Sequence, residues 1–446
     1  MKAIISIFIF LLGLLMITTL LGLSMLSTLV FVFTTILILQ GLFATYGMLY
    51  SWMHAEENED ANLQQLESAS LRSFSLIVPA RYEKEVIGDT IRGLQRINYP
   101  KDKYEILVVI REDDLETILE TQRVIMEIKE PNFRIITFAG FPINKAKGLN
   151  EGLNKAKYEN IGIFDAEDEP SAEILHRINQ EFDHSRADVI QATVQPITLN
   201  SSWYSAYNCL EYFFWYKSIL PLFSKFGAAP VGGNTVFFNK QVLIKSNGWS
   251  ENTLTEDAEI GIRLSALGYK IHSIYDKRIA TLEETPVNLK SFIRQRTRWN
   301  QGFLQVLIQG DWKALPSLKQ QLMAIYILLQ PVIHHFAILG FFLMAIFAAG
   351  FKVPIWLAIY SYIPLYLLLM ELGISIIGLG ELAKMYDIKI SKSFYVGILL
   401  SYVSYQLILV FASSRAFFRL YTNMNVWEKT SHANAHRSNI YQYLNA

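Results

Sequence analysis

One cysteine, Cys209, is present in 446 residues. That scarcity excludes an internal disulfide framework and a cysteine-built zinc cluster, and it fits a catalytic domain kept in a reducing compartment. Net charge is missing too: 40 Lys and Arg balance 40 Asp and Glu. The balance excludes a basic nucleic-acid binder and a disordered acidic tail, so nucleic acid is not an expected partner. Nor does a glycine fingerprint of the dinucleotide or P-loop type follow the first β-rich run, Phe74 to Pro79. A dehydrogenase or a simple ATPase is disfavoured accordingly. Hydrophobic residues, by contrast, make up 52% of the chain and are spread very unevenly.

From Ile4 to about Tyr50 nearly every residue is apolar or small, with a break only near Ser24 to Thr28. This is enough for two membrane spans of roughly 20 residues each. A signal peptide is the competing reading of the first stretch, but a second span follows almost at once and no small-residue cleavage site separates them. Further apolar blocks run from about Leu322 to Gly350, Pro354 to Gly380 and Phe394 to Arg415. Lys2, the charged segment after Trp52, and Lys384, Lys389 and Lys392 favour the cytoplasmic side. The expectation is a multi-pass protein of the cell (plasma) membrane with its middle domain in the cytoplasm. Three trailing spans would leave the tail outside, yet Arg415, Arg419, Lys429 and Arg437 argue that it is inside. One trailing block is therefore expected to be re-entrant or interfacial. The division that results is 1–55 for two N-terminal spans, 56–285 for the polar domain, 286–320 for interfacial helices, 321–420 for C-terminal spans, and 421–446 for a cytoplasmic tail or gating-like loop.

In the polar middle, Phe74 to Pro79 and Tyr104 to Ile110 read as buried parallel strands ending in polar loops. Helical spacing over Glu83 to Ile97 lies between them, and Thr117 to Lys129 supplies a second helix before a strand at Phe133 to Phe138. Lys147 to Ala156 reads as a helix and Tyr158 to Phe164 as a strand. Such alternation implies an open, mostly parallel α/β sheet. Ligands bind beyond the carboxyl ends of its strands, where Arg81, Asp113, Asp114 and Asp165 fall.

Three motifs carry chemistry. Asp165-Ala166-Glu167 places two carboxylates just after a strand, a pattern of hard oxygen ligands that selects Mg²⁺ or Mn²⁺. Its bland alternative is an acidic helix start near Ser171. Thr255-Glu256-Asp257 precedes a helix at Ala258 to Leu267, which Thr255 could simply cap. In Gln295-Arg296-Thr297-Arg298-Trp299, an Arg can hold phosphate, a Trp can stack on a sugar face and a Gln can bind hydroxyls. A basic helix on the membrane surface would explain the same residues. Elsewhere His334 and His335 read as packing or channel lining. Glu371 marks a candidate conduit. The aromatic stretch Trp203 to Tyr216 reads as core or a membrane-resting helix, with sugar stacking as the alternative.

The ordered set of these motifs inside an α/β domain between membrane segments resembles the inverting family 2 glycosyltransferases, in particular membrane-integrated polysaccharide synthases such as cellulose and hyaluronan synthases. The resemblance covers about residues 70 to 430. It implies a nucleotide-diphospho-sugar transferase domain of the GT-A type flanked by transmembrane helices. Pro79, Ala80, Arg81 and Glu83 would border the nucleotide, Asp113 or Asp114 would reach the uracil, and Lys147 would match the family's lysine near the nucleotide. Asp165 and Glu167 would hold the metal, although the second position is more often Asp. Asp257 would be the general base, with Glu256 beside it in the catalytic pair. Gln295, Arg298 and Trp299 would bind the acceptor end and the donor diphosphate, and Gly233 and Asn234 would form a wall of the site. Trp427 to His432, including Lys429 and Thr430, resembles a loop that closes over the nucleotide. The implied activity is transfer from a UDP-sugar to a growing β-linked polysaccharide with coupled translocation. Single transfer to a lipid acceptor is the alternative, and an accessory export or regulatory subunit is left open. A non-catalytic transporter with a degenerate sugar-binding domain is disfavoured, because Asp165, Glu167, Asp257, Gln295, Arg298 and Trp299 are all retained.

Overall fold

The computed structural model describes residues 2–54, 70–338, 340, 354–424, 428 and 437. Two apolar helices open the chain, α1 (Lys2–Leu20) and α2 (Met25–Met53). Gly22, at φ 61°, turns the chain between them, and the Ser24 hydroxyl accepts from the Ser27 amide to cap α2. After them come β1 (Phe74–Ala80), α3 (Lys84–Gln95), β2 (Tyr104–Arg111), α4 (Leu115–Ile128), β3 (Phe133–Phe138), α5 (Lys145–Lys155) and β4 (Asn160–Ile163). The expected strands and helices of this half lie within two residues of these ends.

The second half is less regular. It contains α6 (Ile174–Ser185), β5 (Val189–Gln191), β6 (Val194–Pro196) and α7 (Ser205–Phe214), and α7 runs through a π turn at Trp215–Ile219 into α8 (Leu220–Lys225). Then follow β7 (Val236–Asn239), α9 (Lys240–Lys245), α10 (Glu256–Ala266), β8 (Ile271–Ser273), β9 (Thr281–Glu283) and α11 (Leu289–Gln309). The main sheet has the order β3-β2-β1-β4-β7-β5-β8, with β7 antiparallel to both neighbours and the other pairs parallel. A small parallel pair, β6 with β9, stands beside it.

Alternate side chains of β1 and β2 face opposite layers, as the period of a strand requires. Leu76, Val78, Ile106 and Val108 pack with Ile87 and Ile91 of α3 and with Ile174 and Ile178 of α6. Ile77, Leu107 and Val109 pack on the other face with Leu149 and Leu153 of α5 and with Ile260 and Leu264 of α10. Helices thus cover both faces. The carboxyl ends of β1 and β4 lie side by side, the crevice where such sheets bind ligands.

The C-terminal helices are α12 (Leu318–Leu328), α13 (Gln330–Ile338), α14 (Ile355–Ser361), α15 (Ile363–Met385) and α16 (Lys392–Tyr421). Among the described residues, four stretches are long and apolar enough to cross a membrane: α1, α2, α14 with α15, and α16. A fifth is reached if α12 and α13, bent by 57°, count as one. Large apolar side chains such as Phe8, Ile9, Leu20, Leu400 and Phe411 project outward from these helices, a surface suited to lipid.

Candidate active site

The first acidic cluster is a turn rather than a helix start. Helix α6 begins only at Ile174, and its preceding residue Glu173 makes no side-chain cap. The Asp165 amide instead donates to Asp168 Oδ2 at 2.7 Å, which folds the turn and leaves Asp165 and Glu167 lining a cavity. Asp168 is fully buried, and its Oδ1 accepts from Asn234 Nδ2 at 2.8 Å. The same amide donates to Glu283. Burial, then the nearness of Glu283, holds the Asp168 carboxyl well above its ordinary range; burial, then Glu167 and Asp165, pushes Glu283 up to about 8.

The second cluster opens α10. Thr255 stands at the cap position, but its hydroxyl makes no capping bond, so capping does not account for it. Burial raises the Asp257 carboxyl, and burial together with the Asp257 charge pushes Glu256 up to about 7. Lys145 joins the two clusters: its ammonium pairs with Asp165 and donates to the Gly233 carbonyl at 2.7 Å. Burial disfavours that charge, yet Asp165, Glu256 and Asp257 outweigh it and hold the lysine above its ordinary value. A Cβ at Gly233 would stand 3.1 Å from Asp257 Oδ2 and 3.4 Å from Lys145 Nζ. Glycine at this point leaves the Asp257 carboxylate and the lysine their room.

Helix α11 brings the third motif. Arg296 is committed to a half-buried ion pair with Glu211 and lies 4.6 Å over the Trp299 ring. Arg298 and Gln295 face the cavity, where Arg298 Nε and Gln295 Oε1 are buried without hydrogen-bond partners. Trp299 lines the same space with its ring 6.1 Å from that of Tyr212. The helix is pinned on two sides. Gln305 Oε1 accepts from the Leu254 amide at 3.0 Å, and a Cβ on Gly302 would meet Thr255 Cβ at 2.8 Å. Toward the membrane helices, Gln301 Oε1 accepts from Arg419 Nε at 2.8 Å and Thr297 donates to the Ala412 carbonyl at 3.3 Å.

A single cavity of about 660 Å³ collects these groups. Pro79, Ala80, Arg81 and Glu83 line it at the end of β1, and Gly233, Asn234, Glu256 and Asp257 line it opposite. The expected residues that it does not include are Lys147, Asp113 and Asp114. Lys147 pairs with Glu151 at 2.9 Å on the outer side of α5. Residues two apart on a helix point about 200° apart, so Lys145 and Lys147 cannot both face the cavity. Asp114 is spent on backbone, accepting from the Thr117 and Tyr82 amides, and Asp113 pairs with Arg81 at 3.4 Å outside the cavity wall. Trp427, Lys429, Thr430, Ser431 and His432 lie outside the described residues. Glu283 belongs to none of the three sequence motifs; an acidic pair, Glu283-Glu284, between the second and third was its signal.

Asp165 and Glu167 offer two carboxylates from one turn to one cavity, a donor set that fits an ion taking its other ligands from phosphate and water. No group of three or more His, Cys, Asp or Glu side chains forms a ready cation cage among the described residues.

The mostly parallel sheet with its carboxylate turn at the β1–β4 crevice is the architecture of a glycosyltransferase of the GT-A type. A solved structure supports the fold: the mannosyltransferase of Pyrobaculum calidifontis, in complex with GDP-Man and Mn²⁺, superposes with a TM-score of 0.57 over 88% of this chain and all of that one, at 16% identity. The chain belongs to the glycosyltransferase-like family 2, whose profile matches residues 72–302. Among curated relatives, a UDP-forming cellulose synthase catalytic subunit of Dictyostelium discoideum is 31% identical over 177 residues, 38% of this chain and 16% of its own length. The beta-monoglucosyldiacylglycerol synthase of Synechocystis is 26% identical over 237 residues, 52% of this chain and 47% of that protein. The chain thus spans less than half the length of each of these two.

Proposed function

We propose that this family 2 enzyme extends a β-linked polysaccharide from a UDP-sugar, with its catalytic domain in the cytoplasm, and passes the product along its own helices in the cell membrane. The observation that carries this reading is the continuity of the cavity. The space lined by Asp257, Arg298 and Trp299 is also lined by Gln40 of α2, Gln330 and His334 of α13, Glu371 of α15, and Tyr402 and Gln406 of α16. Polar groups on apolar helices are costly unless they face protein, water or a polar solute. Such a row suits a chain of sugars better than the acyl chains of a lipid acceptor.

In this reading Asp257 takes the proton of the acceptor hydroxyl as that oxygen attacks the anomeric carbon and the bond to the nucleoside diphosphate breaks. One displacement inverts configuration, so an α-linked donor yields a β-linkage. Arg298 and Gln295 hold donor phosphate and acceptor hydroxyl, and Trp299 stacks on the terminal sugar. Lys145 keeps one positive charge between the base and the carboxylate turn. Asp165 and Glu167 would hold Mg²⁺ or Mn²⁺, which when bound helps neutralise the departing diphosphate.

Incubation of the purified protein with individual UDP-sugars and Mg²⁺ or Mn²⁺, followed by product sizing, tests the proposal. Long products are expected, whereas singly glycosylated lipid alone would replace the polymer with the lipid-acceptor reading. Asp257→Asn should lower turnover by about 10² to 10⁴ while leaving UDP binding intact. Undiminished turnover would remove Asp257 from the base role.

A further inference from the structure

Arg437 belongs to the far end of the chain, yet its side chain is buried at 6% exposure against the back of the carboxylate turn. Its guanidinium donates to the carbonyls of Glu167 at 3.2 Å and Asp168 at 2.9 Å and pairs with Glu169 at 3.1 Å. From the other side it donates to the Val86 carbonyl at 3.2 Å and to Thr90 Oγ1 at 2.7 Å, and it lies 3.7 Å from Asp89. Thr90 Oγ1 in turn donates to the Ala166 carbonyl. The carbonyls of three consecutive turn residues are thereby satisfied from behind, directly or through Thr90, while the carboxylates of Asp165 and Glu167 face the cavity. Val86, Asp89 and Thr90 all sit on α3, which starts directly after the donor-side residues Pro79 to Glu83. One planar fork therefore links the helix behind the donor loop to the carboxylate turn.

We propose that Arg437 is a positioning residue that sets the carboxylates of Asp165 and Glu167 for the metal–diphosphate unit of the donor, which makes donor binding depend on the C-terminal end of the chain. The proposal rests on the metal role given to those two carboxylates. Without Arg437 the Glu167 and Asp168 carbonyls lose this donor, and removing a hydrogen bond from a buried polar group is costly. The turn is then free to shift. It does not come apart, because Glu169 keeps its ion pair with Arg96 and its backbone bonds to Leu282.

The test is calorimetric titration of UDP into full-length protein in lipid nanodiscs, once with Mn²⁺ and once with EDTA, for wild type, Arg437→Ala and Arg437→Lys. Wild type should bind UDP more tightly with Mn²⁺. Arg437→Ala should raise the Kd measured with Mn²⁺ about tenfold, the scale of groups that orient metal ligands, and leave the Kd in EDTA unchanged. Lysine keeps the charge toward Glu169 and Asp89 but not the fork, so Arg437→Lys should recover only part. An unchanged Kd with Mn²⁺, equal losses with and without it, or full recovery by lysine overturns the proposal. If Arg437→Ala does not fold, Thr90→Val, which removes the relaying hydroxyl, should shift the Mn²⁺-dependent Kd in the same direction, and no shift overturns the proposal. A wild type that binds UDP no better with Mn²⁺ than with EDTA removes the metal reading itself, a failure visible before any variant is compared.

Discussion

Around Asp257 two consecutive carboxyls, Glu256 and Asp257, meet two cations, Lys145 and Arg298. Burial raises both acids, and interacting sites of this kind titrate with apparent pKa values that belong to the pair. A base whose pKa is raised is protonated and idle over a wider acidic range. The rate constant kcat/KM should therefore climb with pH along a limb displaced above the ordinary carboxylate range and level off once the pair has lost its protons. Glu256→Gln removes the carboxyl that burial and the Asp257 charge push up to about 7, so the part of the limb near neutral pH should be lost and the remainder should lie at lower pH. A pH–rate profile of the two proteins checks this, and an unmoved limb would assign the titration to another group. At this scale the sequence was informative about residue types and less so about directions. Asp165, Asp257 and Trp299 line the cavity, and each is adjacent to a strand end or lies on a helix with an evident buried face. Lys145 and Lys147 could not be separated, since the choice depends on how α5 is rotated over β1 and β2. Glu283 was hidden for another reason. Its neighbours Asn234 and Asp168 come from distant parts of the chain, and only folding shows that they meet.

Among the elements, α11 and the start of α10 are the pair whose fit matters most to the chemistry. The absence of a side chain at Gly302 lets α11 lie directly on Thr255, the residue before the two buried carboxyls. Gly302→Val would push its methyl groups into Thr255 and tilt the first turn of α10. A displacement of about 1 Å at a reacting group can cost on the order of a hundredfold in rate. The expected outcome is a fall in kcat of that order with little change in UDP affinity, read by steady-state kinetics and calorimetry. An equal loss in both would mean that the substitution damages the whole domain instead. The first four strands and their helices were legible because long apolar runs alternate with helical spacing. Four later strands of three residues each, β5, β6, β8 and β9, are too short to show a period; β5 and β8 join the sheet through β7, which runs antiparallel between β4 and β5, and β6 pairs with β9. Of the aromatic stretch, Phe213 and Tyr207 are buried as core, while Tyr207, Tyr212, Trp215 and Tyr216 line the cavity around the π turn.

Across the whole molecule, the apolar blocks located the membrane-length helices from sequence alone, and the bend of 57° between α12 and α13 falls at Pro331, a single residue inside an otherwise continuous apolar block. His334 and His335 separate as neighbours on a helix must: the first lines the cavity and the second approaches Ser413 and Ser414. Helix α11 touches α10 through Gly302 and Gln305, and it touches α16 through Thr297 and Gln301. The motif from Gln295 to Trp299 therefore rides on a bar whose far side is set by a helix of membrane length. Lipid bilayers of different thickness tilt such helices at modest energetic cost. Bilayer thickness thus becomes an input to the geometry at Asp257. In vesicles of short-, medium- and long-chain phosphatidylcholine, kcat should pass through an optimum while UDP affinity stays level. A flat kcat would mean that α16 moves without carrying α11. The surrounding lipid, in this view, is part of the tolerance to which the active site is built.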